Sequence, residues 1–133
     1  MINPTGGAIR NDAMGNGHYG ASRGNRKHDG VDYLCNAYQR VVAPISGKVN
    51  RVIQVYKSDS TWVGVEIVGR RATVQLFYVK VTDGLIGQHV VAGDVVGIAQ
   101  AIGKKYNNGG PAMMQDHVHM RITSVDPECF VGV

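Results

Sequence analysis

The chain has 133 residues, 44% of them hydrophobic and 18% charged, with a formal charge of +4. That is the composition of one folded domain, long enough to bury a core without needing metals or disulfides for bulk stability. No apolar run reaches the roughly 18 residues of a membrane helix, so no membrane span is expected. The basic residues fall in short doublets (Arg26-Lys27, Arg70-Arg71, Lys104-Lys105) without the interleaved aromatics of a single-strand binder, which argues against nucleic acid. The positive charge suits anionic partners such as cell-wall polymers, as a weak steering field.

Residues 1–27 are rich in Gly and Asn and read as irregular chain with at most one short strand. The N-terminus lacks the basic stretch and apolar run of a signal peptide. From Val31 the pattern turns to β. Val31–Leu34 is a short strand. Gly47–Lys57 alternates Val49, Arg51, Ile53 and Val55 on one face. Thr61–Val68 alternates Val63, Val65 and Ile67. Ala72–Val81 is apolar on both faces, as a central strand would be. Val90–Ala99 carries a turn at Ala92-Gly93-Asp94, and His117–Thr123 is the last strand. Gly, Asp and Asn punctuate the boundaries. No helical stripe is sustained, so helix should be scarce, and many short strands predict an all-β antiparallel sheet or sandwich. Gly103–Asp116, with Asn107-Asn108-Gly109-Gly110-Pro111 inside it, reads as a loop bordering a cleft.

Two residue pairs carry the chemistry: His28-x-x-x-Asp32 and His117-x-His119. Imidazole nitrogen and carboxylate oxygen are the ligands of catalytic zinc, which takes three protein ligands and keeps one position open. On a strand, His117, His119 and Arg121 share one face, while Val118, Met120 and Ile122 share the other and point to the core. The two imidazoles stand roughly 7 Å apart at their backbones. One holds a metal while the other reaches its water, or both ligate if a ring leans inward. His28 and Asp32 would lie roughly 13 Å apart on an extended strand, so the chain must bend between them. Asp29-Gly30 supplies the bend, since Gly tolerates positive φ. Strand parity places Cys35 opposite Asp32 and argues against it as a ligand. Cys35 and Cys129 permit one disulfide, worth roughly 4–5 kcal/mol in the chain-entropy model; two unpaired thiols are the alternative. His89 precedes a turn and reads as solvated. His18, in the Gly-rich segment, is a weaker candidate ligand.

In order, Tyr19-Gly20-x-x-Arg23, His28-Asp29-Gly30-Val31-Asp32, Val42-Ala43-Pro44-x-x-Gly47-Lys48-Val49, Val91-Ala92-Gly93-Asp94-x-x-Gly97 and His117-Val118-His119 resemble the lysostaphin/LytM-type zinc endopeptidases, metallopeptidase family twenty-three. The match spans about residues 19–123. A second, local resemblance, from Gly17-His18-Tyr19-Gly20 through Asp32-Tyr33-Leu34-Cys35, is to the vertebrate leukocyte-derived chemotaxin family, which shares the fold and binds zinc without known peptidase activity. Of that family's cysteine framework only Cys35 matches.

The first resemblance implies a lysostaphin-type (duplicated-hybrid-motif-like) β fold with long loops around a metal cleft. It implies a Zn2+ cofactor held by His28, Asp32 and His119, with His117 exchanging protons beside the water. The substrate it implies is a bacterial peptidoglycan peptide, cut by a monomer outside the cytoplasm or at the cell wall, with phage-type release or a leader outside this sequence. Two departures stand out. Family members carry a further histidine in a Tyr-x-His-like motif, where this chain has Leu76-Phe77-Tyr78-Val79-Lys80. Tyr78 is the candidate replacement, donating a phenolic hydrogen bond to the oxyanion; the alternative is a core or edge aromatic. Arg121 stands where the family often has an acidic residue.

Overall fold

A computed structural model of the chain describes residues 1–12, 15–16, 22–23, 26–27, 30–107 and 114–125. In the Gly/Asn-rich entry segment lie four two-residue strands, β1 (Asn11–Asp12), β2 (Gly15–Asn16), β3 (Ser22–Arg23) and β4 (Arg26–Lys27), paired as two small ribbons. The segment thus holds more strand than its composition suggested. Next come β5 (Val31–Leu34), β6 (Arg40–Val42), β7 (Gly47–Tyr56), β8 (Asp59–Val68), β9 (Ala72–Phe77), β10 (Val79–Val81), β11 (His89–Val90) and β12 (Val95–Ala99). The helix α1 (Gly103–Asn107) and strand β13 (His117–Val125) follow. The stretch expected to be loop from Gly103 therefore opens with a short helix.

Six strands form one antiparallel sheet in the order β11-β7-β8-β9-β13-β5, and β10-β12-β6 form a second. The run apolar on both faces, β9, is central, as its composition requires. Val49, Val65, Ile67, Val74, Leu76, Val118 and Met120 from the large sheet meet Val41, Val79, Val96 and Ala99 from the small one in a common core. Each such aliphatic side chain contributes roughly 1.5–3 kcal/mol on burial. Ile122, expected in the core beyond Met120, is instead 42% exposed, although it still pairs with the buried Val74 of β9 ahead of the register shift that follows it.

The opposite face of the large sheet carries the functional side chains, and register sets them in rows. Arg51 pairs with Glu66, Glu66 with Gln75, and Gln75 with Arg121. The next row runs Ile53, Gly64, Phe77, His119, Asp32. The expected single face of β7 is broken by a register shift between Val49 and Arg51. This bulge leaves Val49 in the core and turns Arg51 and Ile53 to the functional face.

The expected strand Ala72–Val81 is also interrupted, at Tyr78, whose φ is +67°. Alternation would send Tyr78 to the core side with Val74 and Leu76. The left-handed residue resets the parity, so Val79 enters the core and Tyr78 joins Phe77 on the functional face. That conformation costs about 1–2 kcal/mol in a non-glycine residue. It is pinned by Tyr78 N–H donating to Val63 O and Gln100 N–H donating to Tyr78 O, both 2.8 Å.

Glu66, nearly buried, accepts from Arg51 at both oxygens (3.1 and 3.2 Å), from Gln75 Nε2 (2.9 Å) and from Asn50 Nδ2 (2.8 Å). The Arg51 hydrogen bonds, ahead of those from Gln75 and Asn50, hold its carboxyl well below the ordinary carboxylate value, at about 2. A carboxyl depressed on folding stabilises above its unfolded pKa and loses that contribution as pH falls through its folded one. The thermal midpoint of the wild type should therefore drop more steeply between about pH 4.5 and pH 2 than that of Glu66→Gln. Parallel curves would show that the row contributes no pH-dependent stability.

Candidate functional site

The centre of the site is a buried carboxylate. Asp32 lies directly opposite His119 in the β5–β13 pairing and is 2% exposed. His119 Nδ1 stands 2.8 Å from Asp32 Oδ1, and Arg10 Nε donates to Asp32 Oδ2 at 3.1 Å. Arg10 is itself buried and is brought there by the entry segment, which runs along β5. Its N–H donates to Asp32 O (2.8 Å) and Leu34 N–H donates to Ala8 O (2.7 Å). A buried carboxylate is costly unless paired and hydrogen-bonded, and here both oxygens are taken. Nothing in the composition of residues 1–27 marked Arg10, since its role depends on where the segment docks.

His119 fits because residue 30 is glycine. A Cβ there would lie 2.8 Å from Cε1 and Nε2 of the His119 ring and 2.3 Å from Met120 O. Among the described residues the glycines with positive φ are Gly6, Gly84, Gly87 and Gly93, so Gly30 makes its bend without one. The expected bend residue thus acts through close approach. The Phe77 ring also packs against His119, with centroids 5.1 Å apart.

His117 is buried and has a fixed tautomer. Its Nδ1 is 2.8 Å from Gln115 O, a carbonyl that can only accept, so Nδ1 carries the hydrogen. Nε2 is left with a lone pair and faces Asp32 Oδ2 at 3.8 Å. Burial pushes the His117 pKa down, against the opposing pull of Asp32, and so favours this neutral form. Tyr78 sits edge-on to the His117 ring, with centroids 5.4 Å apart. Burial raises its phenol to about 12, so it keeps its hydrogen at neutral pH. Two further hydroxyls, unmarked by the sequence pattern, adjoin it. Tyr56 Oη is 3.0 Å from Tyr78 Oη, and Tyr56 also hydrogen-bonds Tyr106 of α1.

Of the five expected site residues, Asp32, His119, His117 and Tyr78 come together. His28 lies outside the described residues, as do His18 and Cys129. Among the described residues no three His, Cys, Asp or Glu side chains form a metal-holding group. The donor set nonetheless suits zinc, with an imidazole nitrogen and a carboxylate oxygen converging in a buried position and the second carboxylate oxygen oriented from behind by Arg10. Among the described residues Cys35 has no disulfide partner and packs against the core; the permitted pairing with Cys129 lies outside them. Burial, then Asp116, raises the Cys35 thiol to about 12. His89 is exposed. A recess at the entry of β13, lined among others by Thr5, Leu34, Cys35 and Asp116, includes none of the four assembled residues.

No family model matches the chain. Leukocyte cell-derived chemotaxin-2 of Mus musculus is 30% identical over 122 residues, covering 90% of this chain and 76% of that protein. The catalytic domain of the antimicrobial peptidase lysostaphin from Staphylococcus simulans superposes with a TM-score of 0.56 at 19% identity, covering 92% of each chain. A zinc-containing peptidase from Vibrio cholerae superposes with a TM-score of 0.57 at 19% identity, over 92% of this chain and 35% of that one. The structural likeness shows a lysostaphin-type fold, and the sequence likeness places this chain in the leukocyte cell-derived chemotaxin-2 family.

Proposed function

We propose that the chain is a zinc-dependent endopeptidase acting on peptide bonds of bacterial peptidoglycan, in stem peptide or cross-bridge. Its metal ligands are His28, Asp32 and His119, and its catalytic side chains are His117 and Tyr78. The observation that carries this reading is the orientation of His117. Its Nδ1 is committed to the Gln115 carbonyl, so a basic Nε2 faces the Asp32–His119 pair with a phenol at its edge.

Zinc, when bound, supplies Lewis-acid activation of water and of the scissile carbonyl. His117 Nε2 accepts the proton of the attacking water and passes it to the leaving amine. Tyr78 donates its phenolic hydrogen bond to the oxyanion, in place of the family's additional histidine. Arg10 and the β5–β13 register orient Asp32, and Gly30 with Phe77 orients His119. The shared fold with the lysostaphin catalytic domain and with a zinc-containing peptidase supports the reaction class, and the net charge of +4 suits an anionic wall polymer. The proposed form is a monomer acting outside the cytoplasm. No described helix is long and apolar enough to cross a membrane.

The 30% identity to the chemotaxin favours a second reading, a zinc-binding recognition module without hydrolysis. Zinc quantitation joined to a cell-wall digestion assay separates the two. The peptidase reading predicts zinc-dependent release of muropeptides by the wild type, lowered about 10²–10⁴-fold in His117→Ala with zinc content retained. Zinc occupancy with no muropeptides from several wall types would establish the recognition module instead. His119→Ala is expected to lose the metal. Gly30→Ala, which pushes a methyl group into the His119 ring, should weaken zinc affinity by about 10–100-fold; an unchanged affinity would show that the close approach does not position the ligand.

A further inference from the structure

The tyrosine cluster beside His117 goes beyond a single replaced histidine. Three phenolic oxygens lie in series, Tyr106 to Tyr56 to Tyr78, from an outer helix to the centre of the site. Each hydroxyl has one hydrogen and can also accept. Two hydrogen bonds among three hydroxyls use two hydrogens and leave one spare. If Tyr106 donates to Tyr56 and Tyr56 to Tyr78, the spare hydrogen is on Tyr78, inside the site. If the series runs the other way, it is on Tyr106, whose residue is 38% exposed, and if both outer hydroxyls donate to Tyr56 it is on Tyr56; in either case Tyr78 has nothing to offer a substrate oxygen.

The charge that the site must meet selects the first direction. Lys105 Nζ stands 4.8 Å from the Tyr56 ring centroid and 5.9 Å from that of Tyr106 and is ion-paired with Asp59 Oδ2 at 3.7 Å, so the charges around the outer hydroxyls largely offset one another. At the inner end, negative charge developing on a substrate oxygen attracts the same hydrogens. Hydrogen bonds aligned head to tail polarise one another, which strengthens the last donor. The left-handed backbone at Tyr78 fits this use. Regular alternation would bury the ring in the core, and strained backbone is retained where the surrounding structure fixes it for function.

We propose that Tyr56 is a positioning residue that accepts from Tyr106 and donates to Tyr78, so that Tyr78 presents its hydrogen to an oxyanion and the strength of that donor depends on helix α1. This rests on the reading of Tyr78 as the oxyanion donor. The probe is inorganic phosphate, a tetrahedral oxyanion, titrated calorimetrically into the full chain equilibrated with zinc. The variants are Tyr78→Phe, Tyr56→Phe, Tyr106→Phe and the Tyr56→Phe/Tyr78→Phe double.

Loss of a hydrogen bond to a charged group should weaken phosphate binding by roughly tenfold or more in Tyr78→Phe. Tyr56→Phe should weaken it by about threefold, and Tyr106→Phe, at an exposed position that leaves folding intact, by less in the same direction. The double variant should match Tyr78→Phe alone, the non-additivity expected of a residue acting through its neighbour. Zinc content and thermal midpoint should stay at wild-type values.

Full additivity in the double variant, an unchanged affinity in Tyr56→Phe or Tyr78→Phe, or no phosphate binding by the wild type would overturn the proposal. Failure of the peptidase reading is seen separately. In that case the phosphate pattern holds while the wild type releases no muropeptides.

Discussion

The carboxylate of Asp32 is the constraint around which the site is built. It is buried to 2% exposure, where an unpaired charge is costly. Its two oxygens divide the work. Oδ1 meets the His119 imidazole at 2.8 Å, and Oδ2 is held by the buried Arg10 guanidinium at 3.1 Å. Those partners come from a strand 87 residues later and from a segment 22 residues earlier. The β5–β13 pairing and the docking of the entry segment along β5 are therefore both conditions for the site, and the register that joins Asp32 to His119 also aligns Phe77 and Gly64 in the same row.

Much of this was legible in the sequence because strand parity is a strict rule. The alternation at His117–Ile122 predicted two histidines on one face with Val118, Met120 and Ile122 toward the core; Val118 and Met120 are buried there, and Ile122 is exposed. The same rule removed Cys35 from the ligands, and its thiol packs on the core. Parity failed where an extra residue or a left-handed residue resets it. The bulge after Val49 divides β7 between two faces, and Tyr78 splits the expected long strand in two. Neither event has a local signature, since neither Asn50 nor Tyr78 is a glycine.

The residues missed altogether, Arg10, Tyr56 and Tyr106, share a different reason. Each acts through tertiary placement and carries no spacing motif. Gly30 shows a subtler gap. The sequence marked it as a special backbone position, and it is one, but through the 2.8 Å approach of the His119 ring. Close packing against a residue 89 positions away leaves no trace in a dipeptide. Arg121, which departs from the resembled pattern, joins the row of Glu66 and Gln75, so its setting is polar sheet surface beside the site.

In the proposed reading, a lysostaphin-type fold keeps a polarising donor without the additional histidine of the resembled peptidases. There the donor is a phenol, which needs a backbone that aims it and neighbours that supply its acceptor side. The most direct measurement of the central claim is zinc-edge X-ray absorption spectroscopy on the zinc-loaded chain. The account predicts a first shell of two imidazole nitrogens and further oxygen donors, one of them a carboxylate, with no sulfur. A shell containing sulfur, or a first shell unchanged in Asp32→Ala, would contradict it.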